Sequence, residues 1–171
     1  MRIVVVSDTH MPRMAKALPG PLLRELRSAD HILHAGDWCS MEVYEQLSAF
    51  APVTGVAGNN DGSALVRRLG YRQVLQVEGL SVGLVHGHGR VAAWQQALDT
   101  FKGERLDAIV FGHSHVPLHK DAGGTLLFNP GSATDKRRQP EFSFGIMEIA
   151  AGRLHARHIY YADKHEQEGA R

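Results

Sequence analysis

Short apolar runs alternate with segments of helical pattern over the first two thirds of the chain. The runs at 3–6, 31–33 and 52–57 are rich in β-branched residues and predict buried strands. The segments at 21–29 and 41–50 lie between them and predict two helices. Strands that alternate with helices are typical of a largely parallel sheet, so the pattern predicts an α/β fold.

A hairpin and a third helix are predicted next. The runs at 71–77 and 80–85 are separated by a Glu-Gly turn signal, which favours two adjacent strands. The segment at 90–103 has the pattern of an amphipathic helix and ends at a glycine. Trp94 and Leu98 lie on one face of this helix, and we assign both to the core.

The pattern changes after the apolar run at 108–111, because no helical segment follows it. Strand-like stretches separated by turn signals occupy residues 116–120, 125–128, 142–149 and 153–160. Short turns between consecutive strands favour antiparallel pairing. We therefore predict one domain over residues 1–161, followed by a polar C-terminal tail at 162–171.

Length and composition exclude several classes of protein. The 171 residues suffice for one domain with a full core but not for two ordinary domains. A formal net charge of +1 gives no strong field toward nucleic acid or an anionic membrane. Cys39 is the single cysteine, which excludes an internal disulfide and suits a reducing compartment. The apolar run at 3–6 is too short for a signal sequence or a membrane span, so we expect a soluble, cytoplasmic protein.

Side chains that can bind metal follow each of five predicted strands. The strand ends read SDTH, HAGD, GNND, HGH and GHSH in chain order. The carboxyl ends of strands gather along one edge of an open α/β sheet, so these side chains are expected to meet there. The candidate donors are Asp8, His10, Asp37, Asn59, His86, His113 and His115.

The number and chemistry of these donors predict two metal ions. Seven donors exceed the roughly four ligands that a tetrahedral zinc takes. Two ions in one site lie about 3.5–4 Å apart and need a bridging carboxylate, for which we assign Asp37. Imidazole, carboxylate and amide ligands without a thiolate favour manganese, iron, cobalt, nickel or zinc over magnesium or calcium.

The stretch FGHSHVP, at 111–117, contributes two of these histidines. Alternate residues of an extended strand face the same side, so His113 and His115 are expected to reach one ion or two neighbouring ions if the extended geometry persists. A polar turn that closes the strand is the alternative. Gly112 and Ser114 are small, which would let the ions approach.

Two further residues are close in sequence to the assigned bridging carboxylate. His34 either supports a metal ligand through a hydrogen bond or is a half-buried strand histidine. Cys39 is predicted to be a buried, inert thiol, because free cysteine usually packs as a small hydrophobic residue.

The motifs resemble those of the calcineurin-like metallophosphoesterases, in particular the small uncapped phosphodiesterases of bacteria and archaea. The resemblance is carried by the five strand ends and the later NPGS, and it runs from residue 7 to about 147. It implies a β-sandwich of two sheets flanked by helices, in four αββα layers, with a dinuclear centre at one end. It also implies two ligand sets, namely Asp8, His10, Asp37 and His115 for the first ion and Asp37, Asn59, His86 and His113 for the second.

The activity that follows is that of a phosphodiesterase in which two divalent ions, manganese by preference, activate a bridging water for in-line attack on phosphorus. Many relatives carry a histidine after the Gly-Asn of the third motif, paired with an acidic residue, to protonate the leaving oxygen. This chain has Asn60 there, followed by Asp61. Asparagine cannot deliver a proton, so we name His88 as the candidate acid.

Alternatives remain for the substrate and for the class of protein. An uncapped site favours a small phosphodiester, and Lys136, Arg137 and Arg138 form either a solvated loop or a contact to its phosphate. A phosphomonoesterase or a nuclease is an alternative within the enzymes. A non-catalytic scaffold is the rival from another class, since the retromer scaffold subunit is similar in fold but has degraded metal positions. The sequence leaves a homo-oligomer open.

Overall fold

Two five-stranded sheets and four helices make up residues 1–166, which are the residues that this computed structural model describes. The strands are β1 (Arg2–Val6), β2 (His31–His34), β3 (Val53–Gly55), β4 (Arg72–Val77), β5 (Leu80–Val85), β6 (Ala108–Val110), β7 (Leu118–Asp121), β8 (Leu126–Asn129), β9 (Phe142–Ala150) and β10 (Arg153–Tyr161). The helices are α1 (Gly20–Leu26), α2 (Met41–Ser48), α3 (Ser63–Leu69) and α4 (Ala93–Thr100). All ten predicted strands are present.

Each sheet contains three adjacent parallel strands, which antiparallel pairs extend at one edge of the first sheet and at both edges of the second. The first has the order β10-β9-β1-β2-β3, in which β1, β2 and β3 are parallel and β9 is antiparallel to β1 and β10. The second has the order β4-β5-β6-β8-β7, in which β5, β6 and β8 are parallel. The predicted hairpin is β4–β5. The expectation of antiparallel pairing after 108–111 is wrong for β8, because β7 reverses the chain once and β8 re-enters beside β6 in the same direction.

The alternation of side chains on β1 shows how the layers stack. Ile3 and Val5 point into a core between the two sheets, which they share with Val82 and Phe128 of the second sheet. A strand with both faces buried reads as a continuous apolar run, as 3–6 does. The sheets therefore face each other across one core.

Helices cover the outer face of each sheet. Val4 and Val6 pack with the apolar residues of α1, α2 and α3. On the second sheet, Ala97 of α4 packs with Ile109 and Leu127. The arrangement is a four-layer αββα sandwich, as the motifs imply.

Two features of the helices differ from the predictions. The pattern does not predict α3. This helix has only seven residues, and its two buried positions, Leu65 and Leu69, are too few to show a helical period in the sequence. The assignment of Trp94 to the core is wrong, since its side chain is 41% exposed. Ala93 and Ala97 face the core instead, and small residues let α4 lie close to the sheet.

Part of the predicted C-terminal tail packs against the body of the protein. Lys164 Nζ donates to the carbonyl oxygens of Met14 and Thr134, the latter over 3.0 Å. The amide of Gly20 donates to the Glu166 carbonyl over 3.1 Å. Residues 167–171 of that tail lie outside the described residues. Within the described chain, none of the helices has the length and apolar character needed to cross a membrane.

Candidate metal centre

The carboxyl ends of four strands place the candidate ligands at one end of the sandwich. Asp8 follows β1, Asp37 follows β2, and His86 follows β5 directly. His113 and His115 follow β6. Because β1 and β2 are parallel, and β5 and β6 are parallel, their ends converge.

Two groups of side chains bring their ligand atoms within 4.8 Å of one another. They are Asp8, His10 and His115, and Asp8, Asp37 and His86, all of them buried. Asp8 Oδ1 lies 3.4 Å from His115 Nε2 and 3.9 Å from the Nε2 atoms of His10 and His86. Asp37 Oδ2 lies 3.6 Å from His10 Nε2 and 3.3 Å from His86 Nε2. Both carboxylates therefore face both groups, and Asp8 joins Asp37 as a candidate bridge.

Buried lone pairs point into the space between these side chains. Asp8 Oδ1 and His86 Nε2 are buried without a hydrogen-bond partner. Nδ1 of His86 donates to the Ala35 carbonyl over 2.7 Å. Nδ1 of His115 donates to the Asp135 carbonyl over 2.5 Å. Nε2 of each ring is then an acceptor, and such a set of acceptors is costly to bury unless a cation lies among them. The residues present therefore fit divalent metal ions.

The ligand loops have an unusual backbone. Positive φ angles occur at Asp8 (54°), His10 (44°), Asp37 (60°), Cys39 (71°), His113 (66°) and His115 (59°). Each such residue with a Cβ costs roughly 1–3 kcal/mol, and these conformations cluster at functional sites. The extended geometry expected for His113 and His115 is absent, because β6 ends at Val110 and both residues are left-handed. Their side chains are aimed by the turn and not by strand alternation.

His113 and Asn59 lie beside the two groups. The ring centroids of His113 and His86 are 5.2 Å apart, and the His113 amide donates to Asp8 Oδ2 over 2.9 Å. Asn59 is exposed on the loop that follows β3. Five of the seven predicted ligands are thus assembled, and the other two flank them.

Asn60 and Asp61 hold the loops around Asp37. The backbone and side-chain amides of Asn60 donate to Asp37 Oδ1 and Oδ2 over 2.8 and 2.7 Å. The Asp61 carboxylate accepts the backbone N–H groups of Asp37, Cys39 and Gly58 at 2.9, 2.8 and 2.8 Å. Asp61 therefore joins two ligand loops through their backbones, a role that its place after Asn60 did not reveal.

Both central carboxyls are ionised at neutral pH. Burial alone would raise the pKa of Asp37, but the His86 imidazole 3.3 Å away and the hydrogen bonds of Asn60 hold it below its ordinary value. Burial likewise opposes ionisation of Asp8, whose pKa His115 and His86 lower. Ionised carboxylates are the form that binds a metal ion.

His88 lies at the rim of the site. Its ring centroid is 5.5 Å from that of His86, 6.3 Å from that of His113 and 5.8 Å from that of Tyr71. Its Nδ1 atom is buried without a partner. Burial lowers the pKa of the His88 imidazole, and the charge of His86 lowers it further.

His34 supports the first ligand loop. It is fully buried, so the alternative of a half-buried strand histidine is wrong. Its Nδ1 accepts the Gly36 N–H over 3.2 Å, which leaves the proton on Nε2, 3.1 Å from Thr9 Oγ1. The ring also stacks on Trp38 with centroids 3.6 Å apart. Thr9 lies between two ligands, so this contact positions both.

We expect His34 to make the metal-free protein sensitive to mild acid. Burial lowers the pKa of His34 from 6.5 to about 3, so below pH 6.5 the unfolded chain takes up a proton that the folded chain refuses. Stability is therefore lost as the pH falls from about 6.5 toward 3, at about 1.4 kcal/mol per pH unit. Urea unfolding of chelator-treated protein at pH 6, 5 and 4 would show a steeper loss in the wild type than in His34→Gln. Parallel pH profiles would contradict this.

Gly112 is required to be small, as the sequence suggests. A Cβ there would lie 1.9 Å from Ser7 Oγ and 2.6 Å from Asp8 Oδ2. We expect Gly112→Ala to lower the free energy of unfolding by about 1–3 kcal/mol and to weaken metal binding, because Asp8 must move. Gly62→Ala is the matched control, since nothing lies within 4 Å of a Cβ at that position. Urea unfolding and metal titration of both variants make the comparison, and equal effects would refute the clash.

Cys39 differs from its prediction in one respect. Its thiol is half-buried and not fully buried, with Sγ 3.5 Å from His10 Nδ1. Burial, and then the charges of Asp61 and Asp37, raise the pKa of this thiol to about 11, so it is protonated at neutral pH and a weak nucleophile.

The three basic residues of the loop after NPGS lie in different surroundings. Lys136 Nζ donates to the Pro140 carbonyl over 2.8 Å and lies 5.1 Å from the Phe142 ring centroid, so it is bound within its own loop. Arg137 and Arg138 are exposed. Their role as a phosphate contact stays a prediction.

The sequence of the chain matches one protein family and named relatives within it. The profile of the calcineurin-like phosphoesterase superfamily domain matches residues 1–152. A probable metallophosphoesterase of Methanothermobacter thermautotrophicus is 35% identical over 139 residues, which is 80% of each chain. A phosphodiesterase of Methanocaldococcus jannaschii is 24% identical over 146 residues, which cover 77% of this chain and 83% of that one.

Solved structures include close matches to the fold. Wild-type Vps29 of Entamoeba histolytica in complex with zinc has a TM-score of 0.71 and 26% identity, and the match covers 94% of this chain and 99% of that one. The two-sheet sandwich that the motifs imply is therefore confirmed by the architecture and by its neighbours.

Proposed function

We propose, since the chain belongs to the calcineurin-like phosphoesterase superfamily, that it is a phosphodiesterase that works with two divalent metal ions. The observation that carries this proposal is the buried, unpartnered acceptors of Asp8 and His86 at the centre of two groups of ligand side chains. Buried acceptors without partners would destabilise the core of a sandwich, whereas two cations would satisfy them.

The ligand sets follow the motif positions. Asp8, His10, Asp37 and His115 would hold the first ion, and Asp37, Asn59, His86 and His113 the second, with manganese as the expected metal. Asn59 is held near Asp37 because the amides of its neighbours Gly58 and Asn60 are bound to Asp61 and Asp37. When bound, two such ions activate a water for in-line attack and neutralise charge on the phosphoryl oxygens.

The proposal assigns the leaving-group proton to His88. Asn60 is committed to Asp37 through two hydrogen bonds, and an amide has no proton to transfer. His88 lies at the rim, with its ring centroid 5.5 Å from that of His86; it is outside both proposed ligand sets and carries an unpartnered ring nitrogen. Its lowered pKa makes the imidazolium a stronger acid.

A small diester in the cytoplasm is the proposed substrate. The described residues contain no domain over the ligand end of the sandwich beyond the sheets and helices given above, which leaves room for a second ester substituent. The single, neutral thiol of Cys39 suits a reducing compartment.

The proposal is tested by metal-dependent hydrolysis. Protein stripped with a chelator and reloaded with manganese is assayed on bis(4-nitrophenyl) phosphate and on 4-nitrophenyl phosphate, with His113→Ala as the impaired variant. We expect diester cleavage that requires manganese, exceeds monoester cleavage and is lost in His113→Ala. Faster monoester cleavage would instead indicate a phosphomonoesterase.

A non-catalytic scaffold is the second candidate, and one observation favours it. Val91 and Trp94 are 48% and 41% exposed next to the His86 loop, and exposed apolar side chains serve protein contacts. All seven motif positions carry a side chain that can bind a metal ion, which argues for the enzyme. A protein that binds manganese, cobalt or zinc and hydrolyses neither ester with any of them would favour the scaffold.

A further inference from the structure

A groove of about 650 Å³ opens beside the first ligand loop. Its walls are residues 12–18, the first residues of α1 and residues 164–166. Arg13 marks the end next to the metal centre, because its Nη2 atom lies 3.3 Å from His10 Nδ1. The groove therefore begins beside His10, which would hold the proposed first ion.

The described residues that line this groove give it a positive charge. Arg13, Lys16 and Lys164 are its cations. Its one acidic lining residue, Glu166, is paired with Arg24 at 3.0 Å. Cations that outnumber carboxylates in a concave surface raise the local concentration of anions.

The wall of the groove is fixed to the ligand loop. Lys164 Nζ donates to the Thr134 carbonyl over 3.0 Å, and Thr134 Oγ1 donates to the Thr9 carbonyl over 2.6 Å. Thr9 lies between Asp8 and His10. A group bound in the groove would thus have a fixed position relative to the metal centre, which is what a substrate subsite requires.

The chemistry of His10 indicates when Arg13 is available. A neutral imidazole that binds a metal through Nε2 holds its proton on Nδ1 and can no longer accept from Arg13. Cys39 Sγ, 3.5 Å from the same Nδ1, is then the acceptor in reach. Metal binding would therefore release the Arg13 guanidinium toward the groove, where its planar fork suits a phosphate.

We propose that this groove is a subsite for a second phosphate group of the substrate. The preferred diesters would then be of the nucleotide type, with a further phosphate beyond the scissile one. Arg13 and Lys16 bind that phosphate, and Lys164 holds the wall. The inference deepens the proposed phosphodiesterase activity and rests on it wherever turnover is measured.

A matched pair of substrates tests the subsite. Thymidine 5′-(4-nitrophenyl phosphate) and its 3′-phosphorylated form share the scissile bond and leaving group and differ only in the added phosphate. With manganese-loaded wild type at low salt we expect a KM about tenfold lower for the 3′-phosphorylated ester, as one charge-assisted phosphate contact warrants. This ratio should shrink at high salt.

Charge variants locate the effect. Lys16→Glu is expected to abolish the KM ratio, and Lys102→Glu, the same change at an exposed residue that does not line the groove, to retain it. A wild-type KM ratio near one, or a ratio that survives Lys16→Glu, would overturn the subsite.

A binding arm separates this inference from the proposed activity. Calorimetry with thymidine 3′,5′-bisphosphate and thymidine 5′-monophosphate needs no turnover. If the bisphosphate binds about tenfold more tightly in wild type and not in Lys16→Glu, while neither ester is hydrolysed, the groove stands and the hydrolytic function fails. If both esters are hydrolysed with one KM and both nucleotides bind equally, the function stands and the groove fails.

Discussion

Asp8→Asn is expected to abolish metal binding while leaving the metal-free fold intact. Asp8 lies in both groups of neighbouring ligand atoms, so loss of its charge removes a ligand of the proposed first ion and weakens the attraction for the second. The amide oxygen can still accept from Ser7 Oγ and the His113 N–H, as Asp8 Oδ2 does over 2.6 and 2.9 Å. The amide NH2 can donate to His115 Nε2, which lies 3.4 Å from Asp8 Oδ1. The variant thus replaces an unpartnered buried acceptor by a donor.

Thermal unfolding with and without manganese measures this. At a metal concentration of about 100 Kd each bound ion should add about 2.7 kcal/mol to the stability of the wild type, which raises its Tm by about 5–10 °C per ion for a domain of this size. Asp8→Asn should show the wild-type Tm without metal, no rise with it, and a turnover lower by about 10³-fold. Asp99→Asn, on the exposed face of α4, is the control and should keep the rise. A wild-type rise in Asp8→Asn would show that the metal binds elsewhere.

In a His88→Ala background, which lacks the proposed acid, Asn60→His is expected to speed the hydrolysis of alkyl diesters by about 10²-fold or more while changing nitrophenyl diesters little. An alkoxide leaves slowly unless it is protonated, whereas nitrophenolate leaves unaided, and general acid help is worth about 10²–10⁴-fold. The backbone amide of residue 60 would still donate to Asp37, as it does over 2.8 Å. The histidine would add the proton donor that the position lacks.

Rates on methyl 4-nitrophenyl phosphate and dimethyl phosphate analogues of equal charge compare the two kinds of leaving group. Asn60→Ala controls for the lost side-chain hydrogen bond to Asp37. His88→Ala in the wild-type background should lower alkyl ester turnover selectively and remove one limb of its pH profile. An unchanged profile in His88→Ala would eliminate His88 as the acid, and equal acceleration of both ester types by Asn60→His would argue against leaving-group protonation.

Much of the site could be predicted because its ligands follow strands. A short apolar run rich in β-branched residues, such as 3–6, favours a strand buried on both faces, and parallel strands bring their carboxyl ends to one edge. Asp8, Asp37 and His86 each follow such a run within three residues, and the structure assembles all three.

The features that could not be predicted from the sequence depend on backbone turns and on tertiary contacts that leave no periodic pattern in the chain. The left-handed conformations of His113 and His115 decide where their rings point, and positive φ is too uncommon outside glycine for the sequence to predict it at both positions. The Asn60 hydrogen bonds to Asp37 and the contact of Arg13 with His10 join segments whose separation carries no pattern. Trp94 shows the same limit, because an apolar helical face predicts a stripe but not how the helix is rotated on the sheet.

The central place of β1 has a consequence for synthesis. One edge of β1 pairs with β2, which is synthesised early. The other edge pairs with β9, at residues 142–150, and stays unpaired until that strand has been synthesised. Chains are made from the N-terminus, so a nascent chain carries Asp8 on a strand with an open edge for most of its translation. Such contacts between distant segments form slowly. The sheet that carries Asp8 is therefore completed late, and a chain that is cut short before β9 has every candidate ligand but an unpaired edge at β1 that can pair with another chain.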